Sequence, residues 1–70
     1  MIKGYTVEVM KKRSNGSGYY GSTLHHYKSE SEARSDMKSI WGNEFCILTE
    51  WAQFDGGFGD YEIEIARQNW

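Results

Sequence analysis

The chain contains a single cysteine, Cys46, and no proline. One thiol cannot close an intrachain disulfide, so the usual staple of a very small domain is missing. A lone thiol also fits a reducing cytoplasm, which is the expected location. No apolar run approaches the ~20 residues of a membrane-spanning helix, so no membrane association is expected. The opening MIKGYTVEVMKK is interrupted by polar residues throughout, unlike the unbroken apolar stretch of a signal peptide. In a cytoplasmic chain the acceptor-like Asn15-Gly16-Ser17 reads as a turn rather than a glycosylation site. No repeat, linker or low-complexity tract appears, and residues 1–70 read as one domain.

Positive charge is scarce outside one region. Residues 1–29 carry Lys3, Lys11, Lys12, Arg13 and Lys28 against Glu8 alone, whereas residues 30–70 carry nine carboxylates against Arg34, Lys38 and Arg67. The overall balance is −2. Such a dipolar arrangement favours oriented binding to a charged surface, or simply solvates the two halves of the fold.

What the chain has in quantity is aromatic mass: three Trp, five Tyr and three Phe among 70 residues. Each such side chain can bury roughly 150–250 Å². A chain of this length hides only about 60 % of the surface its unfolded form exposes. A core built on rings, or a dimer seam, is therefore the expected source of stability.

Hydrophobic periodicity orders the elements. Tyr5, Val7 and Val9 alternate with Thr6, Glu8 and Met10, the pattern of a half-buried strand. Ser14-Asn15-Gly16-Ser17-Gly18 supplies the turn chemistry of a hairpin, and Tyr19 to Tyr27 reads as the returning strand. Its inward face is set by Leu24, with Tyr20, Ser22 and His26. Ser29 followed by Glu32 is a capping box, with Glu30 and Glu32 placed favourably at the positive end of a helix dipole. Ala33, Met37, Ile40 and Trp41 form one helical stripe. Gly42 is the expected left-handed stop, giving a helix over 30–41. Phe45 to Phe54 is a strand with large apolar residues on both faces. Asp55-Gly56-Gly57-Phe58-Gly59-Asp60 is a loop, and Tyr61, Ile63 and Ile65 alternate with Glu62 and Glu64 as the last strand. The order β-β-α-β-β predicts an α+β fold, a four-stranded antiparallel sheet with one helix across one face. The open face is expected to carry Glu8, Met10, Glu62 and Glu64.

No residue set points to catalysis. His25 and His26 are adjacent, so on a strand they face opposite ways and cannot share a metal. Cys46, between Phe45 and Ile47, reads as a small buried hydrophobe. The loop DGGFGD lacks the length and terminal glutamate of a calcium loop and the lysine of a phosphate loop. One helix on one sheet leaves few walls for a substrate pocket. No enzyme activity, cofactor or metal is expected.

Two binding readings remain. In the first, Lys11, Lys12 and Arg13 contact phosphates while Tyr19 or Tyr20 stacks on a base. Three phosphate contacts give a salt slope of only roughly −2 to −3. In the second, surplus rings and the acidic row engage a larger protein or nucleoprotein complex. The residues assigned to that contact are Glu50, Trp51, Asp55, Phe58, Asp60, Glu62 and Glu64, with Phe54 and Trp70 as further unburied rings. The acidic row could occupy a groove that otherwise takes phosphates. A homodimer seam is the alternative home for the rings.

The layout of a short hairpin, YKSESEARSDMKSI as a capped helix and a second hairpin resembles small inhibitor proteins encoded by bacteriophages and mobile elements, anti-CRISPR proteins among them. The resemblance implies a short, single-domain, non-catalytic protein that blocks a host partner by occlusion. The basic KKR tip departs from a purely acidic mimic of nucleic acid.

Overall fold

The alternating segment around Val7 extends into an eleven-residue strand, β1 (Ile2–Lys12), in the computed structural model of the chain. β2 (Tyr19–Tyr27), α1 (Glu30–Ser39), β3 (Phe45–Gln53) and β4 (Tyr61–Gln68) follow. The structure describes residues 2–12, 19–53 and 60–70, with side chains over 3–11, 21–53 and 60–70. The expected turn at 14–18 and most of the loop at 55–60, with Phe54, lie outside the described residues.

The four strands form one antiparallel sheet in the order β2-β1-β3-β4. β2 and β3 both run antiparallel to β1, so they are parallel to each other. A parallel pair needs a crossover rather than a tight turn, and α1 supplies it. This is the expected α+β fold.

Side-chain parity sets the two faces. Val7 lies opposite Leu48 and Val9 opposite Cys46 in the β1–β3 register. With Ala33 and Met37 of α1 they form the buried core, against which Tyr5, Tyr27, Trp41, Ile65 and Ala66 are partly packed. Each fully buried Val or Leu contributes roughly 1.5–3 kcal/mol, so the core is small in energy as well as size. The strand β3 resolves its ambiguity with Cys46, Leu48, Glu50 and Ala52 towards the helix side and Phe45, Ile47, Thr49 and Trp51 on the open side.

The inward set of β2 is the reverse of the one expected. Tyr27, His25 and Thr23 pair with Tyr5, Val7 and Val9 and so share the helix side, while Leu24 lies opposite Glu8 on the open side and is 55 % exposed. Two large rings outweigh one leucine: Tyr27 packs on the core and donates to Asp36 Oδ2 at 2.6 Å. His25 lies 4.4 Å from Trp41, centroid to centroid.

The helix begins as expected, with Ser29 Oγ accepting from the Glu32 N–H at 3.2 Å. It ends earlier, at Ser39, with Ile40 as its right-handed cap. Ile40 is 61 % exposed rather than part of the apolar stripe. Gly42 is not the left-handed stop. It is needed for closeness, because a Cβ there would lie 2.8 Å from the Lys38 carbonyl oxygen. The left-handed residue is Asn69, at φ 64°.

β4 carries a register shift opposite Leu48 and Thr49. The bulge places both Ile65 and Ala66 against the core. The chain then closes over the turn that follows α1. Gln68 Nε2 donates to the carbonyls of Met37 at 2.9 Å and Trp41 at 2.6 Å. Asn69 Nδ2 donates to those of Gly42 and Glu44 at 3.0 and 2.8 Å. Trp70 Nε1 donates to the Cys46 carbonyl at 3.0 Å.

Candidate protein-binding surface

Because one helix covers only one face, the opposite face of the sheet is lined by side chains with no second layer among the described residues. Glu8, Met10, Glu62 and Glu64 stand there, as expected, together with Thr6, Leu24, His26, Ile47, Thr49 and Trp51. Trp51 dominates it. β3 sets this indole opposite Gly4 of β1 and Glu62 of β4. The ring lies so close over Gly4 that a Cβ there would come within 2.7 Å of its Cε2 atom. Glycine is thus what allows the indole to lie down on the sheet, where it stays half-buried.

Trp51 divides two open depressions. One, of about 520 Å³, is lined by Thr6, Leu24 and His26 on one side and by Asp60, Tyr61 and Glu62 on the other. The second, of about 510 Å³, is lined by Lys3, Gly4, His26, Tyr27 and Lys28. The indole therefore stands between a rim with two carboxylates and a rim with two ammonium groups.

Glu50 is placed apart from the other carboxylates assigned to the contact. It lies on the helix side of the sheet, beyond the reach of α1. Lys3 Nζ meets its Oε1 at 3.0 Å, Tyr5 donates to the same oxygen at 3.1 Å, and Tyr61 donates to Oε2 at 3.1 Å. The hydrogen bond from Lys3, followed by those from Tyr61 and Tyr5, holds the Glu50 carboxyl below its ordinary range. The same Lys3 contact raises the Lys3 ammonium, while burial and then the Glu50 hydrogen bond raise the Tyr61 phenol. A carboxylate with three donors is a structural anchor. Glu64 is on the open face and forms an exposed pair with Arg67 at 2.9 Å. Asp60 and Glu62 are exposed at the rim of the Trp51 depression. Asp55 and Phe58 lie outside the described residues.

At the other end of the sheet Trp70 meets Phe45 edge-on at 5.5 Å, with the Arg67 guanidinium 4.9 Å from its ring centroid. Trp70 remains 49 % exposed. Lys11, assigned to phosphate contacts, is exposed and lies about 23 Å along β1 from Gly4, at ~3.3 Å per residue. The Lys12 side chain and Arg13 lie outside the described residues. Lys11 and the Trp51 depressions are at opposite ends of the sheet.

His25 and His26 face opposite sides, and His25 Nε2 lies 3.1 Å from Thr23 Oγ1. Burial, then the Glu44 charge, pushes the Cys46 thiol up. Its Sγ lies 3.7 Å from the Glu44 carbonyl oxygen. Among the described residues no three His, Cys, Asp or Glu side chains gather to hold a metal ion, and no helix is long and apolar enough to cross a membrane.

Sequence reasoning named Trp51, Asp60 and Glu62 but missed Gly4, Leu24 and His26. A glycine inside an alternating strand is a signal for close approach, and Gly4 precedes the alternating run. Nothing local pairs it with a residue 47 positions later. Comparison with known proteins returned no match, whether to a family model, a curated protein or a solved structure.

Proposed function

We propose that the chain is a non-catalytic protein-binding module that occludes a larger host protein or nucleoprotein complex, in the manner of small phage-encoded inhibitors. The observation that carries this reading is the exposure of the rings. Among the described residues the buried core contains no Trp, Tyr or Phe, and Tyr5, Tyr27, Trp41, Phe45, Trp51 and Tyr61 are only half-buried. Aromatic residues supply most of the free energy at protein interfaces once a partner completes their burial. Trp51 is the anchor in this reading, because it lies on a rigid central strand and is held flat by Gly4. Asp60 and Glu62 beside it fit a basic partner, including one whose groove otherwise takes phosphates.

The test is capture of partners from bacterial lysate by immobilised wild-type protein and by two variants, Trp51→Ala and Glu62→Arg. A partner held by the wild type and lost from both variants, with their circular dichroism unchanged, supports the reading. Retention by Trp51→Ala overturns it. Tight nucleic-acid binding at physiological salt, abolished by replacing Lys11, Lys12 and Arg13 with alanine, would assign function to the basic hairpin instead.

A further inference from the structure

The two edges of the sheet are guarded very differently. A strand edge presents unpaired N–H and C=O groups, and proteins blunt it with charges, bulges or cover. β4 has all of these: Glu62, Glu64 and Arg67 along its length, a bulge at Ile65, and a C-terminal continuation folded back over the turn after α1. Among the described residues β2, the other edge, has none over its main part. From Tyr19 to Tyr27 it contains no charged residue of fixed sign and no proline. Its one irregularity lies where Lys11 and Lys12 pair with Gly21 and Tyr19, which leaves Gly21–Tyr27 in regular register. Leu24 stands at the centre of that stretch and is the one large exposed hydrophobic residue on it. Among the described residues nothing lies within 4 Å of where a Cβ of Gly21 would be.

We infer that β2 pairs with β2 of a second copy, antiparallel about a two-fold axis at Leu24, to give one continuous eight-stranded sheet. The stretch is self-complementary in this register, as a two-fold interface requires. Leu24 meets its symmetry mate, Ser22 faces the partner's His26, Thr23 faces the partner's His25, and Gly21 faces the partner's Tyr27. The bulky Tyr27 thus lies opposite the residue with open space around it. The helices do not obstruct the pairing. α1 packs on β1, β2 and β3, so it is centred over β1. Two copies would set their helices three strand spacings apart, about 14 Å, against a helix diameter of about 10 Å.

The size of the core favours a second copy over an unrelated strand as the occupant. A chain of this length with one cysteine depends on oligomerisation or unusually good packing for stability, and the fully buried set here holds no ring. Trp51 lies two strands in from this edge, so the pairing leaves the indole itself uncovered, while Leu24 and His26 at the seam also line its depressions.

Sedimentation equilibrium across micromolar to millimolar protein tests the inference directly. The wild type is expected to dimerise with concentration. Leu24→Lys sets two like charges against each other at the two-fold and should weaken dimerisation about tenfold or more. That residue is exposed, so the monomer's circular dichroism should not change. Cysteine substitutions report the register. Leu24→Cys should form a covalent dimer under a mild oxidant. Ser22→Cys should not, because its symmetry mate lies about 13 Å away, beyond the ~7 Å limit for a disulfide. The wild type serves as control, since Cys46 is buried. A wild type that stays monomeric at millimolar concentration overturns the proposal. So does a dimer indifferent to Leu24→Lys, or one trapped by Ser22→Cys and not by Leu24→Cys.

Discussion

Gly4 decides how Trp51 is presented. Its missing side chain creates the bed on which the indole lies, so the consequence of refilling it is specific. Gly4→Ala places a Cβ within 2.7 Å of Trp51 Cε2. The ring must lift, at a cost of about 1–3 kcal/mol in overpacking strain. Urea unfolding should show the lower midpoint, and the tryptophan emission should shift to the red as the indole becomes wetter. Tyr27 is the second residue with an individual signature. Burial, then its hydrogen bond to Asp36, pushes its phenol up to about 12 from an ordinary value of 10.0. A raised pKa in the folded state means that the folded chain holds the proton more tightly. The stabilisation is complete below pH 10 and is lost between pH 10 and about 12. Spectrophotometric titration of the tyrosines should show a late ionisation near that upper limit. Tyr27→Phe should remove the late step and lower stability by about 1 kcal/mol, the usual net contribution of a hydrogen bond.

At the scale of elements, the helix depends on partners at both ends, and the two ends differ in how visible they are in sequence. Ser29 and Glu32 announce the start, because a cap needs a hydroxyl within reach of a free N–H three residues on. The end is satisfied from far away. The carbonyls of Met37 and Trp41 accept from Gln68, 31 and 27 positions later. Gln68→Ala leaves two partly buried carbonyls without this donor, and an unmet group of that kind costs about 1–3 kcal/mol. The expected result is a lower melting temperature. Amide exchange should be faster over the last turn of α1 and the start of β3, while the Ser29 end remains protected. β4 shows the same contrast. Its alternation was legible in Tyr61, Ile63 and Ile65, but the bulge that brings Ala66 to the core beside Ile65 was not. A bulge is a mismatch between two strands, and one strand alone carries no trace of it.

For the molecule as a whole, a handful of small residues carries the core. Leu48 is its largest fully buried side chain. Leu48→Ala should cost about 2–5 kcal/mol, while a single core in a chain of this size supplies rarely more than about 3–5 kcal/mol. The variant is expected to be largely unfolded at room temperature, measured by the loss of its circular dichroism. The wild-type chain should remain folded under the same conditions and unfold cooperatively on heating. A small margin of this kind follows from where the described rings lie, at the margins of the core and on the open face.

Local chemistry in the sequence was enough to determine the number, type and order of elements, the start of the helix, and the side of β1 that turns inward, whereas Ile63 of β4, expected inward, is 51 % exposed. Each rests on neighbours three or four residues apart, or on strict alternation, and so is written along the chain. Which face of β2 is covered, why Gly42 is a glycine, how Glu50 is held and what lies beneath Trp51 were decided by tertiary structure alone. Those outcomes depend on the register between strands far apart in sequence. Both faces of β2 offered plausible inward residues, and only its register on β1, with Tyr5 opposite Tyr27 and Val7 opposite His25, selects between them.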